Sequence, residues 1–111
     1  MTKFEISDLG EDLAIIRAEG RLNMVSAPGL RDAVAAAITA GKARLVVDLA
    51  LVEFMDSSGL GALIGALKTA RRAGGDLRIA APNEQVTLVL ELSNVDRILT
   101  PYEHADSAFA E

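Results

Sequence analysis

The side chains best suited to chemistry lie together in the segment Phe54-Met55-Asp56-Ser57-Ser58-Gly59-Leu60-Gly61. A carboxylate, two hydroxyls and two glycines occur where an apolar run gives way to an amphipathic pattern. The first turn of a helix has unpaired N–H groups and a partial positive charge, so it accommodates an anion such as phosphate. Because glycine has no Cβ, Gly59 and Gly61 are expected to let a phosphate or a partner surface approach the backbone.

Phosphorylation of Ser57 would turn this segment into a charge switch. A phosphate adds about −1.5 to −2 charges at neutral pH, beside the carboxylate of Asp56. A partner docked there would meet a strongly hydrated dianion, so binding could be lost without unfolding. Asp-Ser-Ser-Gly is also good helix-capping chemistry, so a cap without regulation is the alternative, and the two roles are compatible.

Other kinds of site have weaker support. Gly59, Gly61 and Gly65 form a Gly-x-Gly-x-x-x-Gly pattern, but no acidic residue follows the next strand to hold a ribose. Gly61 and Gly65 are therefore interpreted as permitting close helix packing. The chain has no cysteine and one histidine, and His104 is interpreted as a solvated surface residue. We expect no catalytic residue, no metal and no cofactor, and hence a binding protein rather than an enzyme.

Composition limits the class of protein. The 111 residues fit one domain spanning 1–111, half of them are hydrophobic, and the net charge is −5. Without a basic run, nucleic-acid binding is not expected. No signal peptide and no apolar stretch of transmembrane length is visible, which predicts a cytoplasmic protein without membrane insertion. Oligomeric state is left open.

Strand and helix patterns alternate along the chain. Strands are expected at 3–7, 13–19, 44–51 and 77–81, with a further short strand at 97–100. Helices are expected at about 26–40, 58–73 and 84–92, with a short one at 104–110. Ser26 is expected to cap the first helix, and Asn94 to follow the third in a left-handed conformation. This order predicts an α/β fold, with one mixed β-sheet and helices packed mainly on one side.

The segment from Phe54 to Gly61 looks like the signature of bacterial anti-sigma factor antagonists, whose fold is the STAS domain. Gly20-Arg21-Leu22-Asn23 is similar to the family's Gly-x-Leu-Asp segment after the second strand. Gly74-Gly75-Asp76-Leu77 resembles its glycine turn, and Leu92-Ser93-Asn94-Val95-Asp96 resembles its segment after the third helix. The resemblance covers nearly the whole chain.

This resemblance implies a partner-switching cycle. The unphosphorylated antagonist binds an anti-sigma factor, often also a serine kinase, and so frees a sigma factor. The kinase phosphorylates the first serine after the motif aspartate, which here is Ser57, and a PP2C-type phosphatase reverses the step. The resemblance also implies that Asp56, Ser58 and Gly59 shape the loop around Ser57. The expected partner surface comprises Asn23, Met24, Ser26, Asp56, Ser57, Ser58, Gly59, Leu60 and Gly61.

Asn23 departs from the family pattern, which usually has aspartate at this position. Asparagine keeps the shape and hydrogen bonding of aspartate but lacks its negative charge, at a loop expected to lie near Ser57. The alternative function is a STAS interaction module of a transporter or signalling complex, in which Ser57 is only a helix cap and phosphorylation plays no part.

Overall fold

Alternating strands and helices build one mixed sheet in the computed structural model, which describes residues 3–109. Two single-turn 3-10 helices, Val95–Arg97 and Ala105–Ser107, lie near the C-terminus. The strands and α-helices in chain order are β1 Lys3–Asp8, β2 Leu13–Leu22, α1 Ala27–Thr39, β3 Arg44–Met55, α2 Ser57–Arg72, β4 Asp76–Ala80, α3 Glu84–Leu92 and β5 Pro101–Tyr102.

The sheet has the strand order β1-β2-β3-β4-β5, with β3 in the centre. β1 is antiparallel to β2, as the short connection predicts, and the remaining neighbours are parallel. β2 and β3 continue past their predicted ends to Leu22 and Met55, because these two ends pair with each other beyond a register shift. The extension matters because the residues of interest follow directly.

All three α-helices contribute to one core cluster, which confirms the predicted mixed sheet with helices mainly on one side. Each helix buries aliphatic residues that recur every three or four positions, as expected of an amphipathic helix. These buried residues include Leu30 and Val34 in α1, Leu63 and Leu67 in α2, and Val86 and Leu90 in α3.

The other face of the sheet is covered only in part, by the C-terminal segment. Ala105 and Ala108 pack on Ile15, Val46 and Ala80 in a second, smaller cluster. The helix expected at 104–110 is a single 3-10 turn within the described residues, and position 110 lies outside them.

The strand expected at 97–100 is wrong. Val95–Arg97 is a 3-10 turn, and the last strand is Pro101–Tyr102. Asn94 lies before this turn with φ of 57°, which confirms the expected left-handed conformation. The apolar residue Leu99 is buried against the helix-side core rather than paired in the sheet, so its hydrophobicity does not signal a strand.

Glycines end both long helices as expected. Gly41 follows α1 with φ of 89° and Gly74 follows α2 with φ of 88°, a conformation that other residues adopt at a cost. α2 is the longest helix in the described part of the chain, with 16 residues. No helix within residues 3–109 has both the length and the apolar composition needed to cross a lipid bilayer.

Candidate functional site

Two loops meet at one edge of the sheet, where β2 and β3 end. The strands are parallel and Leu22 is paired with Met55, so both carboxyl ends reach the same edge. The N–H of Asp56 donates to the carbonyl of Leu22 at 3.2 Å. Residues 23–26 therefore lie beside the first turn of α2, as the sequence predicts.

Asp56 is the N-cap residue of α2. Its backbone is extended, and its Oδ1 accepts hydrogen bonds from the N–H groups of Ser58 at 2.9 Å and Gly59 at 3.0 Å. Two of the N–H groups that a helix leaves unpaired are thus satisfied by one carboxylate. The side chain that caps α2 is that of Asp56, so the expected capping role of Ser57 is wrong.

Ser57 is the first residue of α2 and is exposed, whereas Ser58 is half-buried. Within residues 3–109 the hydroxyl of Ser57 has no hydrogen-bond partner. No contact in this part of the chain therefore indicates a structural role for it. The expected start of the helix at Ser58 is one residue late. An exposed hydroxyl at a helix N-terminus is accessible to an enzyme that modifies it.

The glycines of the motif have different surroundings. Gly59 is buried, and a Cβ there would overlap the carbonyl oxygen of Leu22, so this glycine allows α2 to pack against the end of β2. The expected reason for Gly59, approach of a partner, is therefore wrong. A Cβ at Gly61 or Gly65 would meet no other described part of the chain within 4 Å. Close helix packing is consequently the wrong explanation for both. Leu60 is 8% exposed and belongs to the core.

The loop after β2 is held by side chains of its own. Oδ1 of Asn23 accepts hydrogen bonds from the N–H groups of Val25 at 3.1 Å and Ser26 at 3.2 Å. The hydroxyl of Ser26 donates to the carbonyl of Arg21 at 2.6 Å and accepts from the N–H of Asn23 at 2.9 Å. Ser26 precedes α1 but makes no capping hydrogen bond, because its hydroxyl is used by the loop. Its predicted capping role is wrong.

Asn23 acts in this loop through its side-chain oxygen. Two backbone N–H groups donate to Oδ1 and the hydroxyl of Ser26 lies 3.3 Å from it, which fixes the orientation of the amide. A carboxylate would accept the same two hydrogen bonds. The loop geometry is therefore one that asparagine and aspartate share.

Apolar side chains project from the same edge. Met24 is 73% exposed and Val25 is 85% exposed, whereas Met55 lies in the core. Phe54 is partly exposed beneath the guanidinium of Arg21, 5.5 Å from the ring centre. The sequence does not single out Val25, whose only signal is an apolar side chain directly before the helix-start residue Ser26. Exposed apolar groups around a free hydroxyl suit contact with another protein.

Asn83 and Gln85, at the start of α3, hold the end of β3. Gln85 accepts from the N–H of Met55 and donates to its carbonyl, each at 2.9 Å. Asn83 donates to the carbonyl of Val52 at 3.1 Å. β4 ends opposite Asp48, so side chains replace strand pairing here. Sequence reasoning missed both residues, because their partners lie some 30 residues away.

Comparison with known proteins agrees with this architecture. The STAS domain family model matches residues 7–108. A candidate anti-sigma factor antagonist of Thermotoga neapolitana is 31% identical over 102 residues, which are 91% of this chain and 90% of that protein. The anti-sigma-B factor antagonist of Bacillus subtilis is 29% identical over 84 residues, 76% of each chain.

A solved structure is similar over nearly the whole chain. The crystal structure of a candidate anti-sigma factor antagonist from Thermotoga maritima superposes with a TM-score of 0.82 at 30% identity. It covers 97% of this chain and 91% of the other. With a family model that spans almost all described elements and the matching mixed sheet, this chain belongs to the STAS domain family.

Proposed function

We propose that this chain is an anti-sigma factor antagonist. In the proposed cycle the unphosphorylated chain binds an anti-sigma factor that is also a serine kinase, and so releases a sigma factor. Phosphorylation of Ser57 ends binding, and a PP2C-type phosphatase restores it. The names of the relatives support the antagonist role. Because sigma factors act on RNA polymerase, the proposed partner implies a cytoplasmic location.

The observation that carries the switch is the division of tasks between Asp56 and Ser57. Asp56 already occupies the N–H groups of Ser58 and Gly59. Two N–H groups at the helix N-terminus would therefore be unavailable to a phosphate on Ser57, and the carboxylate of Asp56 would repel it. The phosphate would remain in solvent. The fold keeps its cap in both states, and only the charge on the exposed surface changes.

The surroundings explain how such a charge would end binding. Met24 and Val25 are exposed and apolar at the same edge as Ser57. A partner that covers them must also remove water from Ser57. Removing water from a hydroxyl costs little when it gains a hydrogen bond, whereas burying an unpaired dianion is prohibitive. The proposed surface consists of Asn23, Met24, Val25, Asp56, Ser57, Ser58 and Gly61.

Affinity capture from a lysate of the native host tests this function. Wild type and Ser57→Ala are expected to retain the same anti-sigma kinase, and Ser57→Asp is expected to lose it. Ser93→Asp is the matched control, because it places the same charge at an exposed serine after α3, outside the proposed surface, and it is expected to retain the kinase. Its circular dichroism spectrum must match that of wild type before its binding is compared.

Two results would contradict the proposal. Equal retention of the kinase by Ser57→Ala and Ser57→Asp would remove the charge switch. Retention of transporter or scaffold proteins by all variants would replace sigma control with the role of an interaction module. Incubation of the captured kinase with ATP and the chain, followed by mass spectrometry, should place a single phosphate on Ser57 and none on Ser57→Ala.

A further inference from the structure

Helices α1 and α2 pack side by side and leave an open groove between them, with a volume of about 290 Å³. Val34 and Ala66 lie at the bottom of the groove and are almost fully buried, whereas Ala35 and Thr69 line it and are exposed. Arg31 of α1 and Arg72 of α2 also line it, and both are exposed. Gly65 contributes no side chain midway along α2. The groove thus combines small side chains with cationic ones.

The charge on these two helices contrasts with that of the chain. The chain has a net charge of −5, yet α2 contains no acidic residue and α1 contains only Asp32. Their basic residues are Arg31, Lys68, Arg71 and Arg72. Arg71 forms an ion pair with Asp76 at 3.2 Å. Arg31, Lys68 and Arg72 have no ion-pair partner within residues 3–109.

Gly65 is not required by packing inside the described chain. A Cβ there would meet nothing within 4 Å outside the helix backbone. Glycine weakens a helix interior relative to alanine, so its presence needs another reason. In the groove, the missing side chain leaves room for a group from outside.

The groove is continuous with the Ser57 surface along α2. Ser57, Gly61, Gly65, Lys68 and Arg72 recur every three or four residues, which places them on one side of the helix. At about 1.5 Å rise per residue, Ser57 and Arg72 are about 22 Å apart along the axis. One helical segment of about 15 residues would span that distance.

We propose that the groove between α1 and α2 binds an acidic, amphipathic helical segment of the anti-sigma factor. Small apolar side chains of that segment would lie over Ala35 and Gly65. Its Asp or Glu side chains would pair with Arg31, Lys68 and Arg72. This is the helix-in-groove mode of recognition, with charge complementarity setting orientation and association rate. The inference rests on the proposed function and names a second contact region for the same partner.

Charge reversal tests the groove directly. The anti-sigma factor captured by wild type is purified. Calorimetry then measures its affinity for wild type, Arg31→Glu and Arg72→Glu. Each reversal is expected to weaken binding by roughly tenfold, mainly through slower association. The difference from wild type should shrink as the salt concentration rises, because exposed charges are screened.

Arg97→Glu is the matched control. Arg97 is exposed on the 3-10 turn Val95–Arg97 and does not line the groove, and its reversal changes the net charge by the same amount. Its affinity is expected to equal that of wild type. A glutamate-to-arginine variant in the partner's acidic segment should restore the binding of Arg72→Glu, which a loss of stability would not allow.

Gly65→Gln separates binding from folding. The Cβ position is open and glutamine is a good helix former, so the melting temperature should be unchanged or higher. The longer side chain would enter the groove, and affinity for the anti-sigma factor should fall by roughly tenfold or more.

The outcomes distinguish this inference from the proposed function. If wild type binds the anti-sigma factor and the three groove variants bind equally well, the groove inference is overturned and the proposed function stands. If wild type binds no anti-sigma factor, both fail. If the variants abolish self-association but leave that affinity unchanged, the occupant is a second copy of this chain and the inference is overturned.

Discussion

At the start of α2, the side chains of the neighbouring residues Asp56 and Ser57 differ in their contacts. The carboxylate of Asp56 holds the first turn through two N–H groups, and the hydroxyl of Ser57 is left exposed. A side chain that both capped the helix and accepted a phosphate would lose its cap whenever it was modified. Because the cap is made by Asp56, the proposed modification at Ser57 would be compatible with an unchanged fold.

Asn23 has a structural role in the adjacent loop, where its side-chain oxygen accepts backbone hydrogen bonds. Asn23→Asp keeps an oxygen acceptor for the N–H groups of Val25 and Ser26, so the free energy of unfolding should stay within about 0.5 kcal/mol of wild type. Asn23→Ala removes the acceptor and should lower it by about 1–2 kcal/mol. Urea denaturation followed by circular dichroism measures both.

Met24→Ala is the control for this pair, because Met24 is exposed in the same loop and should leave stability unchanged. Equal losses for Asn23→Asp and Asn23→Ala would show that the amide donors of Asn23 matter more than its oxygen. Such a result would also mean that the departure from the family's usual aspartate changes the loop itself.

At the scale of the element, α2 is packed on one side and open on the other. Gly59 faces the end of β2 so closely that a Cβ would overlap the carbonyl oxygen of Leu22. Gly61, two residues later, is exposed and has open space around it. The same substitution should therefore have opposite effects at these two positions.

Gly61→Ala should raise the free energy of unfolding by about 0.5–1 kcal/mol, because alanine is favoured over glycine in a helix interior. Gly59→Ala should lower it by about 1–3 kcal/mol, since the helix must shift away from Leu22. Thermal and urea unfolding of the two variants, each compared with wild type, measure the difference. A stabilising Gly59→Ala would mean that α2 does not pack against β2 as described.

At the scale of the whole molecule, the two faces of the sheet are covered differently. Three helices cover one face, and a short C-terminal segment covers part of the other. Arg78 donates to the carbonyl of Ala108 at 2.6 Å. The ring of Phe109 lies 4.4 Å from the guanidinium of Arg78 and 4.9 Å from that of Arg44. Two cations and one ring thus fix the end of the described chain to β3 and β4.

Phe109→Ala should lower the free energy of unfolding by about 1–3 kcal/mol, through lost apolar burial and two lost cation–π contacts. Amide exchange should accelerate in residues 105–109 more than in the helices. Phe109→Leu is the control, because it retains apolar contact but has no aromatic face, and its loss should be smaller. Unchanged exchange in Phe109→Ala would show that the segment is held without the ring.

Much of this protein was determined by local sequence. Alternation and helical periodicity predicted the order of strands and helices, because burial on one face imposes a period on each element. The turn residues Gly41, Gly74 and Asn94 were predicted by the conformations that only they adopt at low cost. Asp56 and Ser57 are candidates from the sequence because they stand where a strand pattern meets a helix pattern.

Tertiary structure decided what depends on contacts between distant residues. Whether Gly59 or Gly61 packs inside the chain depends on the carbonyl of Leu22, which belongs to another strand. The hydroxyl of Ser26 forms hydrogen bonds with the backbone of Arg21 and Asn23 rather than with the helix that it precedes. The contacts of Gln85 with Met55, and the groove between α1 and α2, arise only when elements far apart in sequence are brought together. Local sequence patterns do not predict these contacts, because each contact depends on how the elements pack.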